Sequence, residues 1–302
     1  MNHSTFRTLS VAAVLAFTSA GLVTAAQATP AAPSAAKLPR YCMAEFTVPD
    51  SKGAVTSVAY EDGEFLSLPM TGLKVTPGAR MVQPVGFDPD PTTPRMTSLV
   101  ITADGLLQSV TSTLKNPGED NQTWSSAKPV RIGHGWNQVS AVALPGTPDD
   151  PYLFAVLGDR LNRYTLGVSN TGTASVRSAP HAATSGFRTV RSLTWTRSTT
   201  VRGGAADVLV GLDGSKLVEY TVPRKTNPRV SKRELGTGWG SVKAISAGLC
   251  FTDGRDTAEL TRSTPILARV GRDVRLYLDR TNTDGSGRDI LNYGRIGAWP
   301  AA

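Results

Sequence analysis

The sequence predicts an all-β chain folded as a five-bladed β-propeller of four-stranded blades, and two recurring marks carry that expectation. The first mark is a short apolar run, a Gly/Asp turn, and then a hydrophobic residue three places before an aliphatic or aromatic one. It reads Leu153-Phe154-Ala155-Val156, Gly158-Asp159, Leu161 and Tyr164, and again Val208-Leu209-Val210, Asp213-Gly214, Leu217 and Tyr220. The second mark precedes a strand: Gly133-His134-Gly135-Trp136 and Gly236-Thr237-Gly238-Trp239, with Ser185-Gly186-Phe187 between them. Anchors of the first mark at positions 65, 107, 161, 217 and 274 lie 42, 54, 56 and 57 residues apart. The aromatic positions 136, 187 and 239 of the second lie 51 and 52 apart. Two independent marks with nearly one period argue against coincidence. Beyond the N-terminal segment no stretch sustains a 3.6-residue apolar period, so helices should be scarce.

Taken from the N-terminus, residues 1–28 read as a secretory signal peptide: Arg7, an uncharged apolar core over Leu9 to Phe17, and Ala26-Gln27-Ala28 as an A-x-A cleavage site. The apolar core is too short to span a bilayer, and no later segment approaches that length. Residues 29–40, rich in Ala and Pro, read as a flexible lead-in. Residues 41–302 then form one propeller domain, with blades expected near 42–83, 84–136, 137–187, 188–239 and 240–299. Within each unit the first strand follows the Gly-Trp mark, as in Val139 to Leu144. The second is the apolar run, and the third carries alternating residues such as Val218, Tyr220 and Val222. The fourth leads into the next mark, as in Val130 to Ile132. Asp-Gly and Gly-Asp between apolar runs mark hairpins, because Gly accepts positive φ and its twist suits the strands. Weaker turn marks occur around Asp62-Gly63 and Asp104-Gly105, a third full copy around Gly271, and Ile296-Gly297-Ala298-Trp299 closes the last unit. A six-bladed ring with a degenerate blade and a two-sheet sandwich are the alternative architectures.

Two cysteines exclude a disulfide-rich scaffold and an all-cysteine zinc site. In an oxidising compartment Cys42 and Cys250 are expected to pair rather than remain free thiols. Both fall on or just after the first strand of their blades, so the bond would lie across the seam between blades 1 and 5.

The run Arg131-Ile132-Gly133-His134-Gly135-Trp136-Asn137-Gln138-Val139, followed by Leu153 to Leu161 with Gly158-Asp159, resembles the repeat of tachylectin-like propellers. The likeness is good in the third unit, fair in the fourth and poor in the others. It implies a five-bladed lectin that binds N-acetylated sugars between blades. The pattern is also similar to FG-GAP and VCBS-type repeats of exported bacterial proteins, which hold calcium in D-x-D-x-D-G loops. The nearest approach to such a loop is Asn282-Thr283-Asp284-Gly285-Ser286-Gly287 with Asp289 beyond, for which a polar hairpin turn is the plainer reading and calcium the alternative.

The remaining chemistry is sparse. The formal charge of +8 is mild for 302 residues, and no dense basic run suggests nucleic acid. No H-E-x-x-H, G-x-S-x-G or Walker loop occurs, so no catalytic residue, metal or cofactor is expected. Aromatic rings suit the C–H faces of sugars when polar groups stand beside them. The expected ligand-binding residues are therefore Trp136, Asn137, Phe187 and Trp239, against a competing role for the rings as wedges between blades. The expected partner is an extracellular glycan or cell-envelope polymer, and the alternative is a protein-interaction or envelope scaffold. Basic residues cluster at Arg188 to Arg202 and Arg224 to Arg233, either as solvated strands or as contacts for anionic polymers.

Overall fold

The computed structural model describes residues 37–88, 90, 92–119, 121–145, 152–177, 182–226, 228–252 and 261–300. The expected signal peptide and most of the lead-in lie outside the described residues. Among the described residues twenty-two strands form five antiparallel sheets. Blade 1 holds β1 (Cys42–Pro49), β2 (Ala54–Glu61) and β3 (Glu64–Lys74). Blade 2 holds β4 (Ala79–Asp88), β5 (Arg95–Thr102) and β6 (Leu107–Lys115), with β7 (Thr123–Ser126) and β8 (Val130–Gly133) sharing its outer edge. Blade 3 holds β9 (Val139–Ala143), β10 (Tyr152–Leu157) and β11 (Arg160–Val168), edged by β12 (Ala174–Val176) and β13 (Ala182–Ser185). Blade 4 is β14 (Val190–Val201), β15 (Gly204–Asp213), β16 (Lys216–Pro223) and β17 (Ser231–Thr237). Blade 5 opens with β18 (Val242–Ala247). After β19 (Leu249–Cys250) turns aside, it continues with β20 (Thr264–Val270), β21 (Asp273–Asp279) and β22 (Ile290–Ala298). The only helical segments among the described residues are three single 3-10 turns.

Two-residue hairpins join the second and third strands of blades 3, 4 and 5. Gly158, Gly214 and Gly271 take the first turn position with φ of 58°, 59° and 59°. That is the left-handed conformation a II′ turn demands of its first central residue, and a side chain there would be strained. Strand alternation then gives each sheet two buried faces. On β21, Val274, Leu276 and Leu278 pack toward blade 1, while Tyr277 packs toward blade 4. The core is thus five separate clusters, one per blade junction, not a single layer between two sheets. This arrangement excludes the sandwich. The first strands β9, β14 and β18 lie side by side, and β1 meets both β4 and β18, so these strands ring the axis.

The seam is built as the cysteine spacing suggests. After β18 the chain crosses at Gly248 and pairs Leu249 and Cys250 with Met43 and Cys42 of β1. The sheet order of blade 1 becomes β19-β1-β2-β3. Cys42 and Cys250 are disulfide-bonded across a separation of 208 residues, and both are buried. At the crossing a Cβ on Gly248 would stand 1.7 Å from the Met43 carbonyl oxygen, so only glycine passes.

Two sequence expectations need correction. The boundary between blades 1 and 2 falls at Ala79, not after residue 83. No Gly-Trp mark stands there, and a turn containing Pro77-Gly78 starts β4 instead. Blade 1 has three strands of its own, with its fourth supplied by β19 at the axial edge and not by an outer strand. The junction lacking a Gly-Trp ring is filled by Trp124, which reaches in from β7 beside Leu73, Val100 and Val110.

Candidate functional site

The Gly-Trp marks sit where one blade hands the chain to the next. In each of four junctions the aromatic backbone N–H donates to a carbonyl of the preceding blade's hairpin. These bonds are Trp136 to Gly105 at 2.9 Å, Phe187 to Asp159 at 3.1 Å, Trp239 to Ser215 at 2.9 Å and Trp299 to Arg272 at 2.7 Å. The ring is then driven down between the blades. Trp136, Phe187 and Trp239 are 6%, 0% and 8% exposed. Three of them meet the tyrosine of the following blade's third strand in nearly one geometry. Trp136–Tyr164, Phe187–Tyr220 and Trp239–Tyr277 have centroids 5.4, 5.0 and 4.6 Å apart and planes at 42°, 38° and 42°. These pairs carry packing beyond their buried area. Trp299 closes the ring by meeting Phe46 edge-on at 5.1 Å. Asn137 is exposed on the 3-10 turn after Trp136.

Corresponding positions around the pairs differ, and the difference makes a site. At the junction of blades 3 and 4, Val218 is buried beneath the ring pair. Lys232, opposite Tyr220 in the β16–β17 register, lays its ammonium 4.5 Å from the Phe187 centroid and 5.4 Å from that of Tyr220. Its Nζ also donates to the Gly186 carbonyl and lies 3.9 Å from Asp213. That junction is closed. At the junction of blades 4 and 5, Arg275 replaces Val218 and Asn292, opposite Tyr277, replaces Lys232. A cleft of about 400 Å³ remains, lined by Trp239, Tyr277, Arg275, Asn292, Thr237 and Ser241 among others. Between blades 2 and 3, a separate void of about 10 Å³ lies deeper among Met81, Leu99, Ile101 and Val142, away from the Trp136–Tyr164 pair. Small-molecule sites begin near the larger size, with an apolar wall and a few convergent polar groups. The buried Nε–H of Arg275 has no hydrogen-bond partner among the described residues.

Beneath the cleft lies a group of acids. Asp279, on the same face of β21 as Arg275 and Tyr277, is 5% exposed. Burial first, and then the charge of Asp289, push its carboxyl up to about 7, with Asp284 and Glu219 adding to the rise. The Thr281 N–H donates to Asp279 and opposes the shift. Both carboxylate oxygens of Asp289 are buried without a hydrogen-bond partner among the described residues. Glu219 is held by Arg197 at 3.0 Å. The loop 282–289, the nearest approach to a calcium motif in the sequence, is organised by its own contacts. Asp284 accepts from the Ser286 N–H at 2.5 Å, and Arg233 donates to the Asp284 carbonyl at 2.8 Å while lying against Gly285. Among the described residues no three His, Cys, Asp or Glu side chains are placed to hold a metal.

Much of the basic surplus is already engaged. Arg191 donates to the Trp239 carbonyl at 2.7 Å and, through Nε, to that of Val242 at 3.1 Å, clamping blade 4 to blade 5. Arg80 does the same for Trp136 at 2.8 Å. Arg224 grips the fully buried Asp207 through Nε at 3.0 Å and Nη2 at 2.9 Å, and Trp195 donates to the same carboxylate at 3.2 Å. Trp195 stands on β14, partly buried, as a donor to this carboxylate. On the opposite hairpin, hydrogen bonding from the Gly186 N–H, and from those of Arg188 and Phe187, holds the Asp159 carboxyl below its usual range. The sequence reading missed Arg275 and Asn292. The available signal was an arginine at a repeat position that is valine one blade earlier.

The five sheets make a β-propeller, and no helix among the described residues is long and apolar enough to cross a membrane. No family model and no curated protein matches the chain. Among solved structures, it is similar to a candidate 6-phosphogluconolactonase from Bacteroides uniformis, at 10% identity and a TM-score of 0.37, over 86% of this chain and 82% of that one. It is also similar to the WD40 domain of SCAP from fission yeast, at 11% identity and a TM-score of 0.30, over 85% of this chain and 63% of that one. Neither likeness transfers a function, and the fold stands on the strand pairing.

Proposed function

We propose that this chain is a secreted, non-catalytic propeller that binds a saccharide in the cleft between blades 4 and 5. The observation that carries the reading is the open Trp239–Tyr277 pair, bordered by Arg275, Asn292, Thr237 and Ser241, where the neighbouring junction is filled. Aromatic rings offer faces to sugar C–H groups, and the polar border offers donors and acceptors to hydroxyls. Trp239 is the one of the four sequence-derived candidates that borders this cleft. The tachylectin-like repeat around Trp136 supports the same class of ligand, and the buried disulfide suits an extracellular setting.

The test uses the closed junction as a template. Arg275→Val with Asn292→Lys should fill the cleft as Val218 and Lys232 fill its neighbour. Binding of saccharides found on a glycan array should then fall by at least about tenfold by calorimetry, the loss of one good contact. Circular dichroism and melting should remain those of a folded propeller. Failure of every saccharide to bind, or binding indifferent to the double variant, would overturn the proposal. In the former case a protein-interaction scaffold becomes the better reading.

A further inference from the structure

We infer that the ligand of the cleft between blades 4 and 5 is an acidic saccharide whose oxyanion is received by Arg275. This rests on the saccharide reading above and narrows it to a charge class. An arginine carries five donors in a fixed fork and is always charged. Arg275 makes no hydrogen bond, ion pair or cation–π contact with any other described residue, and its Nε is buried. A buried donor without an acceptor is costly, and a charged donor more so. The chain tolerates this at a position where the preceding blade places Val218.

No nearby carboxylate pairs with Arg275. Asp273 pairs with Arg295 at 3.1 Å, Glu234 with Lys216 at 2.5 Å and Glu219 with Arg197 at 3.0 Å. Asp279 and Asp289 are not among the cleft-lining residues, and the charges acting on Asp279 are those of Asp289, Asp284 and Glu219. The acceptor for Arg275 is therefore to be supplied by the ligand. An oxyanion that presents two oxygens matches the guanidinium fork and completes its hydrogen bonds, while the sugar ring lies against Trp239 and Tyr277. The +8 charge of the chain favours the approach of anions. Carboxylate, sulfate and phosphate groups share this chemistry.

The experiment titrates the protein with four probes: a uronic-acid oligosaccharide, its neutral methyl ester, a sulfated oligosaccharide and a sugar phosphate. The expected result is that at least one acidic probe binds about 10- to 100-fold more tightly than the neutral ester, the range of a charge-assisted hydrogen-bonded contact. Arg275→Gln should abolish that preference, and Arg275→Lys should keep part of it. Melting temperature should not fall in either variant, because Arg275 anchors no other described residue. The tightest acidic probe then identifies the source of the oxyanion. Equal binding of ester and acids, or a preference that survives Arg275→Gln, overturns the inference and leaves the saccharide reading standing. Absence of binding by all four probes and by the neutral glycans of the array defeats both.

Discussion

Replacing Asp279 by asparagine should make the protein more stable at pH 8 and flatten its stability between pH 4 and 7. In the folded chain the Asp279 carboxyl is held up to about 7 by burial and by the charge of Asp289. In the unfolded chain it titrates near its ordinary value of about 3.9. Between those two values the folded state binds the extra proton, so stability falls as pH rises through this window and is level above it. A displacement of about 3 units corresponds to at most about 4 kcal/mol. Asparagine keeps an acceptor for the Thr281 N–H, now at 3.2 Å, and carries no charge toward Asp289, Asp284 or Glu219. Urea unfolding of both proteins at half-unit steps from pH 4.5 to 8.5 measures the effect. The two should coincide near pH 4.5 and separate by about 1–4 kcal/mol at pH 8, the asparagine form being the stronger. If both lose stability with the same slope, Asp279 is not the group responsible, and the acidic floor of this junction has been misread.

Other expectations are simpler. Replacing Cys42 and Cys250 by serine should lower stability by up to about 5 kcal/mol, the chain-entropy value for a very long loop, read by denaturant unfolding under non-reducing conditions. Gly248→Ala should cost about 1–3 kcal/mol, because its Cβ meets the Met43 carbonyl at the seam and overpacking is not relieved there. Phe187→Ala should cost about 3–5 kcal/mol by the same assay, since the ring is wholly buried between blades 3 and 4. Mass spectrometry of the exported protein should find its N-terminus at Thr29, and an intact Met1 would contradict the leader reading.

The fold was legible where local chemistry repeats. Gly158, Gly214 and Gly271 each force a two-residue hairpin, and each is flanked by period-two apolar strands, so turn and strand pattern agree. The junction of blades 1 and 2 was not legible. There Pro77-Gly78 replaces the Gly-Trp mark, and the filling ring, Trp124, comes from an outer strand far along the chain. The two-residue β19 is too short to leave a pattern, although its cysteine pointed to it. Repetition also coloured the choice of site. Trp136, Phe187 and Trp239 recur because each of these junctions needs a wedge, and a feature that repeats from junction to junction cannot single out one of them. The cleft is encoded in departures from the repeat, at Arg275 against Val218 and Asn292 against Lys232. Such departures become informative only once the strands are set in register.

The saccharide-bound crystal structure, obtained with whichever probe binds most tightly, tests the central claim most directly. The expected result is density for a sugar ring against Trp239 and Tyr277, with a polar group of the ligand within hydrogen-bond distance of Arg275. Density at another junction or on an outer strand, with this cleft filled by ordered water alone, would contradict it.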